Sequence, residues 1–270
     1  MKQKVSDYIA EYIAQWGIRD VFTVTGGGAM HMNDAFGHHK MLHCTYQHHE
    51  QACAMAAEAY ARLGNKMAAV CVTTGPGATN AITGVLGAWM DSIPMLVFSG
   101  QARYATTVSA SGLPLRSMGV QECNIVPVVK SLTKYAHMIV HPENIRYHLE
   151  KALYLAVNGR PGPVWLDIPL DVQGAVIETD DLKAYDPEEN PEQQPREIKD
   201  ETVEQILDKL QESKRPVLSP GNGVRLAGAH EDFYQLAELL GVPVVTGMSS
   251  VDAIESDHPL FVGRSGGTGT

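Results

Sequence analysis

The chain has 270 residues, 44 % apolar and 19 % charged, with a formal net charge of −10. This is the composition of a globular protein of one or two domains with a sizeable core, which excludes a disordered or low-complexity chain. No apolar run reaches the roughly 18–20 residues of a spanning helix, the N-terminus lacks a signal-peptide core and no basic stripe is present, so neither membrane nor nucleic acid is an expected partner and the cytoplasm is the expected compartment.

Val5, Ile9, Tyr12, Ile13 and Trp16 fall on one face of an N-terminal helix. Val21–Val24 then reads as a buried strand ending at Gly26-Gly27-Gly28. Further strands are expected at Leu42–Thr45, Ala68–Val72, Met95–Ser99 and Val164–Ile168, with helices at Ala29–Phe36, His49–Leu63, Thr79–Trp89 and Ile145–Val157. Apolar strands alternating with helices predict an α/β fold with a doubly wound, mostly parallel sheet covered on both faces. In such folds ligands sit beyond the carboxyl ends of the strands. Gly26–Gly28, Glu50 and Gly75–Asn80 all follow a strand directly.

Residues 178–200 contain Pro187, Pro191 and Pro195 among acidic and amide side chains, a linker composition. Between Glu178 and Glu201 ten acidic residues face Lys183, Arg196 and Lys199, a local balance of −7 (−10 + 3). The expected organisation is therefore a first domain over 1–177, a solvated acidic linker over 178–200 and a second α/β unit over 201–270. That unit comprises a helix at Glu201–Leu210, a strand at Pro216–Ser219, a Gly221-Asn222-Gly223 turn, a helix at Ala229–Leu240 and a strand at Val242–Val245. Roughly 70 residues is short for a layered α/β domain, so the second domain is expected to be partial, the chain stopping at Gly266–Thr270.

Four cysteines, Cys44, Cys53, Cys71 and Cys123, are widely spaced and read as free buried thiols. The histidine pairs His38-His39 and His48-His49 are sequence neighbours that do not share a helix face, so no metal site is expected. Glu50 opens a helix of small residues. Read alone it is either an acid that favours the helix dipole or a functional carboxylate. Glu58 reads as a structural partner of Arg62 at i+4. Gly75-Pro76-Gly77 forces a tight turn, either an ordinary strand-to-helix connection capped by Thr79 or a cradle where backbone approaches a ligand. Gln101 reads as a cap of the preceding strand, and Arg160 as an arginine on a turn.

Four segments in order, Val21–Ala29, His49–Arg62, Thr73–Gly84 and Gly159–Pro169, resemble the acetolactate synthase group of thiamine-diphosphate enzymes over residues 1 to about 175. The resemblance implies a pyrimidine-binding domain, a central domain and a diphosphate-binding domain; nothing here resembles the last, with its Gly-Asp-Gly and Asn that hold Mg2+ and the diphosphate. It implies that Glu50 relays a proton to the aminopyrimidine of thiamine diphosphate, a task suited to apolar surroundings. It places Gly26, Gly27, Pro76 and Asn80 at the cofactor, Gln121 at the reaction centre and Arg160 at a flavin (FAD) where one is bound. Val24-Thr25 stands where acetolactate synthases carry Tyr-Pro, Val120 stands where an aromatic residue is usual, and Ser109–Met118 is longer than in typical members. The resemblance implies a carboligase or decarboxylase acting on a 2-keto acid such as pyruvate, in a homo-oligomer or with a subunit supplying the diphosphate domain. The 270 residues alone are expected to be inactive. The alternatives are the pyrimidine-binding subunit of a split enzyme and a non-catalytic regulatory relic.

Overall fold

The computed structural model describes residues 1–194 and 197–266; Pro195 of the expected linker and the terminal Gly267–Thr270 lie outside the described residues. The chain divides into two compact units, Met1–Gln194 and Pro195–Thr270. The first unit contains β1 (Lys2–Lys4), α1 (Val5–Trp16), β2 (Asp20–Thr23), α2 (Met30–His38), β3 (His43–Tyr46), α3 (Glu50–Gly64), β4 (Ala69–Val72), α4 (Pro76–Asn80), α5 (Ile82–Met90) and β5 (Met95–Gln101). It continues through α6 (Val108–Ser111), α7 (Ile125–Val129), β6 (Tyr135–Met138), α8 (Ile145–Val157), β7 (Pro163–Pro169), α9 (Leu170–Gly174) and β8 (Val176–Glu178).

Six strands form one parallel sheet in the order β3-β2-β4-β5-β7-β6. Every residue of β4, β5 and β7 is buried, as strands covered on both faces must be. On one face Val5, Ile9 and Ile13 of α1, Met32 and Phe36 of α2 and Leu149 and Leu153 of α8 pack on Val21, Leu96, Phe98 and Leu166. On the other, α3 and α5 lie against each other. Gly84 of α5 makes this approach possible: a Cβ there would sit 2.6 Å from Ala54 Cβ and 2.7 Å from the Met55 nitrogen.

Two strands escape the hydrophobic pattern. The edge strand β6 is only half-buried along its length. Lys2–Lys4 forms β1, antiparallel to β8, which joins the two ends of the unit. The expected helix at Thr79–Trp89 starts earlier, at Pro76, and breaks after Asn80. The acidic stretch also departs from expectation. Leu182 and Tyr185 within it are buried, and the Tyr185 N–H donates to Glu150 Oε2 of α8 at 2.7 Å. Tyr147 donates to Glu189, and Lys151 pairs with Glu189 at 3.5 Å. Residues 178–194 are therefore a strap on α8, because two large side chains outweigh the polar composition around them.

The strap covers a ring cluster in which His137 and His148 stack at 3.9 Å between centroids, and the Tyr135 hydroxyl meets His148 Nδ1 at 2.6 Å. On the opposite side of the sheet β5 and β7 carry a buried polar group, Asp167 beside Ser99 and Gln101. Burial pushes the Asp167 carboxyl up to about 7, against the lowering pull of the Ser99 and Gln101 donors.

The second unit has α10 (Asp200–Glu212), α11 (Gly223–Leu226), α12 (His230–Leu240), β9 (Val244–Thr246) and β10 (Phe261–Arg264). β9 and β10 pair in parallel around a small core of Ala237, Val244 and Ile254. The expected strand at Pro216–Ser219 is reduced to a single bridge from Leu218 to Val244.

The two helical glycines of α5 should respond oppositely to alanine. Gly84→Ala should destabilise the protein by about 1–3 kcal/mol through overpacking. Gly87 is exposed with open space around it, so Gly87→Ala should stabilise by about 0.5–1 kcal/mol through helix propensity. Urea unfolding of both variants checks the contrast. A second expectation concerns acid. Burial, then the His137 and Lys151 charges, lower the His148 imidazole to about 4. A folded value below the unfolded one means that the neutral ring stabilises above the ordinary value near 6.5, a contribution lost as pH falls toward 4. Asp167, with a raised folded value, runs the other way and loses its contribution as pH rises through about 7. Comparison with His148→Gln isolates the histidine: the variant should lose about 1–2 kcal/mol less between pH 7 and 4.5, after discounting for partial exposure. Equal losses in urea unfolding would remove the ring from the account.

Candidate active site

The sheet order reverses between β2 and β4: the chain moves outward from β2 to β3, then returns to the other side of β2. Crevices at such switch points are where open α/β sheets bind ligands. The turns after β2 and β4 meet there. The Gly28 N–H donates to Thr73 Oγ1 at 3.0 Å, and the Gly26 N–H donates to Asn33 Oδ1 at 3.3 Å. A side chain at Gly26 would collide with Thr73, so glycine is required for these turns to touch. Gly27 faces open space. From below, Gln173 Nε2 donates to the Gly28 carbonyl at 2.7 Å, and Gly100 lies so close to that carbonyl that no Cβ fits.

Glu50 occupies the first position of α3, where the helix dipole favours a negative charge. Its helix is capped by His49, whose Nδ1 accepts from the Gln51 N–H at 3.1 Å. Asn80 Nδ2 donates to Glu50 Oε2 at 3.0 Å. Oε1 makes no hydrogen bond among the described residues, and the Gly77 Cα side approaches it: a Cβ on Gly77 would stand 3.3 Å away. Gly75 adopts φ +59° and Pro76 starts α4, the position where proline costs nothing. Thr79 is no cap; its hydroxyl donates to the Pro76 carbonyl at 3.2 Å.

Gln121 reaches the same place from another direction. It has φ +57°, rare for a residue with a side chain. Its carbonyl presses on Gly75 so closely that a Cβ there would collide with it. Its exposed side chain follows Val120, which is 85 % exposed. Burial raises the Glu122 carboxyl, but three backbone donors outweigh it and hold the group below the usual range. These are the N–H groups of Val108 at 2.7 Å, Met118 at 2.9 Å and Gly119 at 3.0 Å. Glu122 therefore ties both ends of the long 108–119 excursion to the Gln121 turn.

The structure thus gathers Gly26, Gly27, Glu50, Pro76, Asn80 and Gln121 at the carboxyl ends of β2, β3 and β4. Arg160 is not among them. It precedes β7, at the amino ends of the strands, where its Nε donates to Ser92 Oγ at 2.6 Å. With Trp89, Lys134 and Glu192 it lines a separate cavity of about 390 Å3. Glu58 bonds Arg62 Nε at 3.0 Å. Sequence reasoning missed Asn33, Thr73 and Gln173, which grip the glycine turn. The Thr73-Thr74 pair before Gly75 was the available signal. Gln173, in contrast, acts from 145 residues away. Among the described residues no group of three or more His, Cys, Asp or Glu side chains could hold a metal ion, and no helix is long and apolar enough to cross a membrane.

The geometry fits an aminopyrimidine: a carboxyl group with one oxygen held by an amide and the other oxygen unengaged, beside side-chain-free backbone in a switch-point crevice. Comparisons with known proteins identify the family. Residues 3–117 match the thiamine pyrophosphate enzyme N-terminal TPP binding domain, and residues 203–270 match the central domain of the same enzymes. The chain is 34 % identical to the acetolactate synthase 2, chloroplastic, of Zea mays over 99 % of its length and 40 % of the relative's. It is 34 % identical to the acetolactate synthase large subunit of Corynebacterium glutamicum (93 % of this chain, 38 % of the relative) and 32 % identical to that of Lactococcus lactis (97 % and 44 %). The chain thus spans about 40 % of the length of the curated relatives it matches. It belongs to the thiamine pyrophosphate enzymes, carrying sequence of their N-terminal and central domains and homologous to acetolactate synthase large subunits along nearly all of its 270 residues.

Proposed function

We propose that this chain supplies the pyrimidine half-site of a thiamine-diphosphate-dependent carboligase or decarboxylase acting on a 2-keto acid of the pyruvate class. The observation that carries this reading is the Glu50 carboxylate, bonded by Asn80 and set beside Gly77 in the β2/β4 crevice. When bound, thiamine diphosphate supplies a ring carbon that can add to the keto carbon and accept the electron pair released as CO2 leaves. Glu50 Oε1 would hold a proton against a pyrimidine ring nitrogen, while Asn80 keeps Oε2 engaged and fixes the plane of the carboxyl group. Pro76 and the glycines at 26, 27, 75 and 77 would hold the flat ring by backbone contact. Gln121 would present its amide to the substrate. On this reading the diphosphate and its Mg2+ are held by a further domain, in the same polypeptide or a second subunit. FAD, implied at Arg160, would lie at the other end of the sheet, and no step here needs it.

A second copy of the chain is the partner this reading favours. Met55 and Leu63 of α3 and Leu86 and Met90 of α5 are exposed apolar side chains on the two helices that lead away from the site.

In the enzyme completed by its diphosphate-binding domain, Glu50→Gln should lower kcat with pyruvate by about 10²-fold or more, as removal of a proton-relay group does. Near-normal turnover would sink the assignment. Light scattering should show concentration-dependent self-association that Met90→Lys and Leu86→Lys weaken. A wild-type chain that stays monomeric at high concentration would contradict the second-copy interface.

A further inference from the structure

One buried acid lies outside this reading. Asp167 is fully buried on β7, facing Ser99 of β5 and, across the sheet, Met138 of β6. It has no ion-pair partner among the described residues. A buried carboxylate without a counterion costs stability that an apolar side chain of similar size would not. Local rules of this kind are broken mostly where function requires it.

Its hydrogen bonds lead to the site. Ser99 Oγ donates to Oδ1 at 2.6 Å and itself accepts from Trp165 Nε1 at 2.8 Å. Gln101 Nε2 donates to Oδ2 at 3.1 Å and to the Cys123 carbonyl at 2.8 Å. Gln101 Oε1 accepts from Thr74 Oγ1 at 2.7 Å and from the Ala102 N–H at 3.0 Å. Gln101 is therefore a four-way junction, and turning its amide over would set like against like at Ala102, Asp167 and Cys123. Thr74 immediately precedes Gly75. Cys123 lies two residues beyond Gln121, whose carbonyl presses on Gly75. One amide thus joins the two walls of the crevice.

We infer that Asp167 is a positioning residue: its ionised carboxylate locks the Gln101 amide and so fixes the Gln121 turn against the Gly75-Pro76-Gly77 turn. The substrate role of that turn rests on the function proposed above; the lock itself does not. Hydrogen-bond inventory makes the lock sensitive to protonation. A proton on Oδ2 would face the Gln101 NH2, donor against donor. A proton on Oδ1 would face Ser99 Oγ, leaving the serine hydrogen without its acceptor. The first proton position breaks the Gln101 bond; the second orphans a buried donor and leaves Gln101 bonded to a neutral oxygen, a weaker acceptor than a carboxylate. The titratable groups nearby are the Cys123 thiol and the Glu122 carboxylate on the loop before α7, both of which act on the same turn. β5 presents Ser99 and Gln101, and β6 presents Met138 at the paired position.

Hydrogen exchange tests the lock in the 270-residue chain without reference to activity. After correction for intrinsic rates, protection of the 119–124 peptide should fall at least ~5-fold from pH 8 to pH 6 in the wild type, while α3 holds constant. In Asp167→Asn that protection should be at least ~5-fold lower at pH 8 and independent of pH. A wild-type peptide whose protection does not change with pH overturns the proposal, and this arm stands even where the variant fails to fold. In the completed enzyme, Asp167→Asn should raise KM for pyruvate about 10-fold with kcat changed less than ~3-fold, and flatten the acid limb of kcat/KM. An unchanged KM and pH profile would show that the lock does not reach the substrate. Absence of any wild-type turnover of 2-keto acids, with the exchange result intact, would instead count against the proposed function.

Discussion

The close approach of two backbone turns at the β2/β4 switch is the constraint on which the site depends. A parallel sheet covered on both faces sends every strand's carboxyl end to the same edge, and the reversal of strand order opens a crevice there. Thr73 touches the first glycine turn, and Gly75 receives the Gln121 carbonyl. Each contact works only because one partner has no side chain. Glu50 is then placed by the start of α3, and Asn80 by the end of α4, where the two side chains meet. The chemistry proposed for the carboxylate follows from this placement: one oxygen is engaged, the other faces backbone.

Much of this was legible in the sequence because the elements that build the crevice are strongly patterned. β2, β4, β5 and β7 are apolar runs bounded by glycine or proline, and the helices between them carry clear apolar faces. β6 was not legible, since Tyr135–Met138 is half-buried at a sheet edge and mixes polar with apolar residues. β1 was hidden for the same reason: Lys2-Gln3-Lys4 is a strand only because Val176–Glu178 comes back to pair with it. The acidic strap shows composition failing in another way. Its charge was read correctly as solvated, but Leu182 and Tyr185 decide where the backbone lies.

The candidate site divides along the same line. Residues whose role depends on local turns, Glu50, Gly75, Pro76 and Asn80, could be named from motif and resemblance. Residues that act across the sheet could not. Gln101 looked like a strand cap, and nothing about Asp167, embedded in an apolar strand, announced that its side chain would meet Ser99 and Gln101 two strand positions apart. Such pairings are set by strand register, which one sequence does not display. Arg160 marks the converse case. A recognisable motif residue stands at the amino ends of the strands, away from the residues named beside it, because Gly159 and Arg160 come before β7 and not after it.

The pairing of β1 with β8 has a consequence for how the first unit is made. Lys2–Lys4 is made well before its partner strand and can pair only when Val176–Glu178 has followed. Loop closure over the whole unit must come before that ladder can form. The central strands and their helices can assemble during synthesis, whereas the opening segment stays an unpaired edge until the end. The seam between β1 and β8 thus waits on chain made about 170 residues later, and only the strap on α8 follows it.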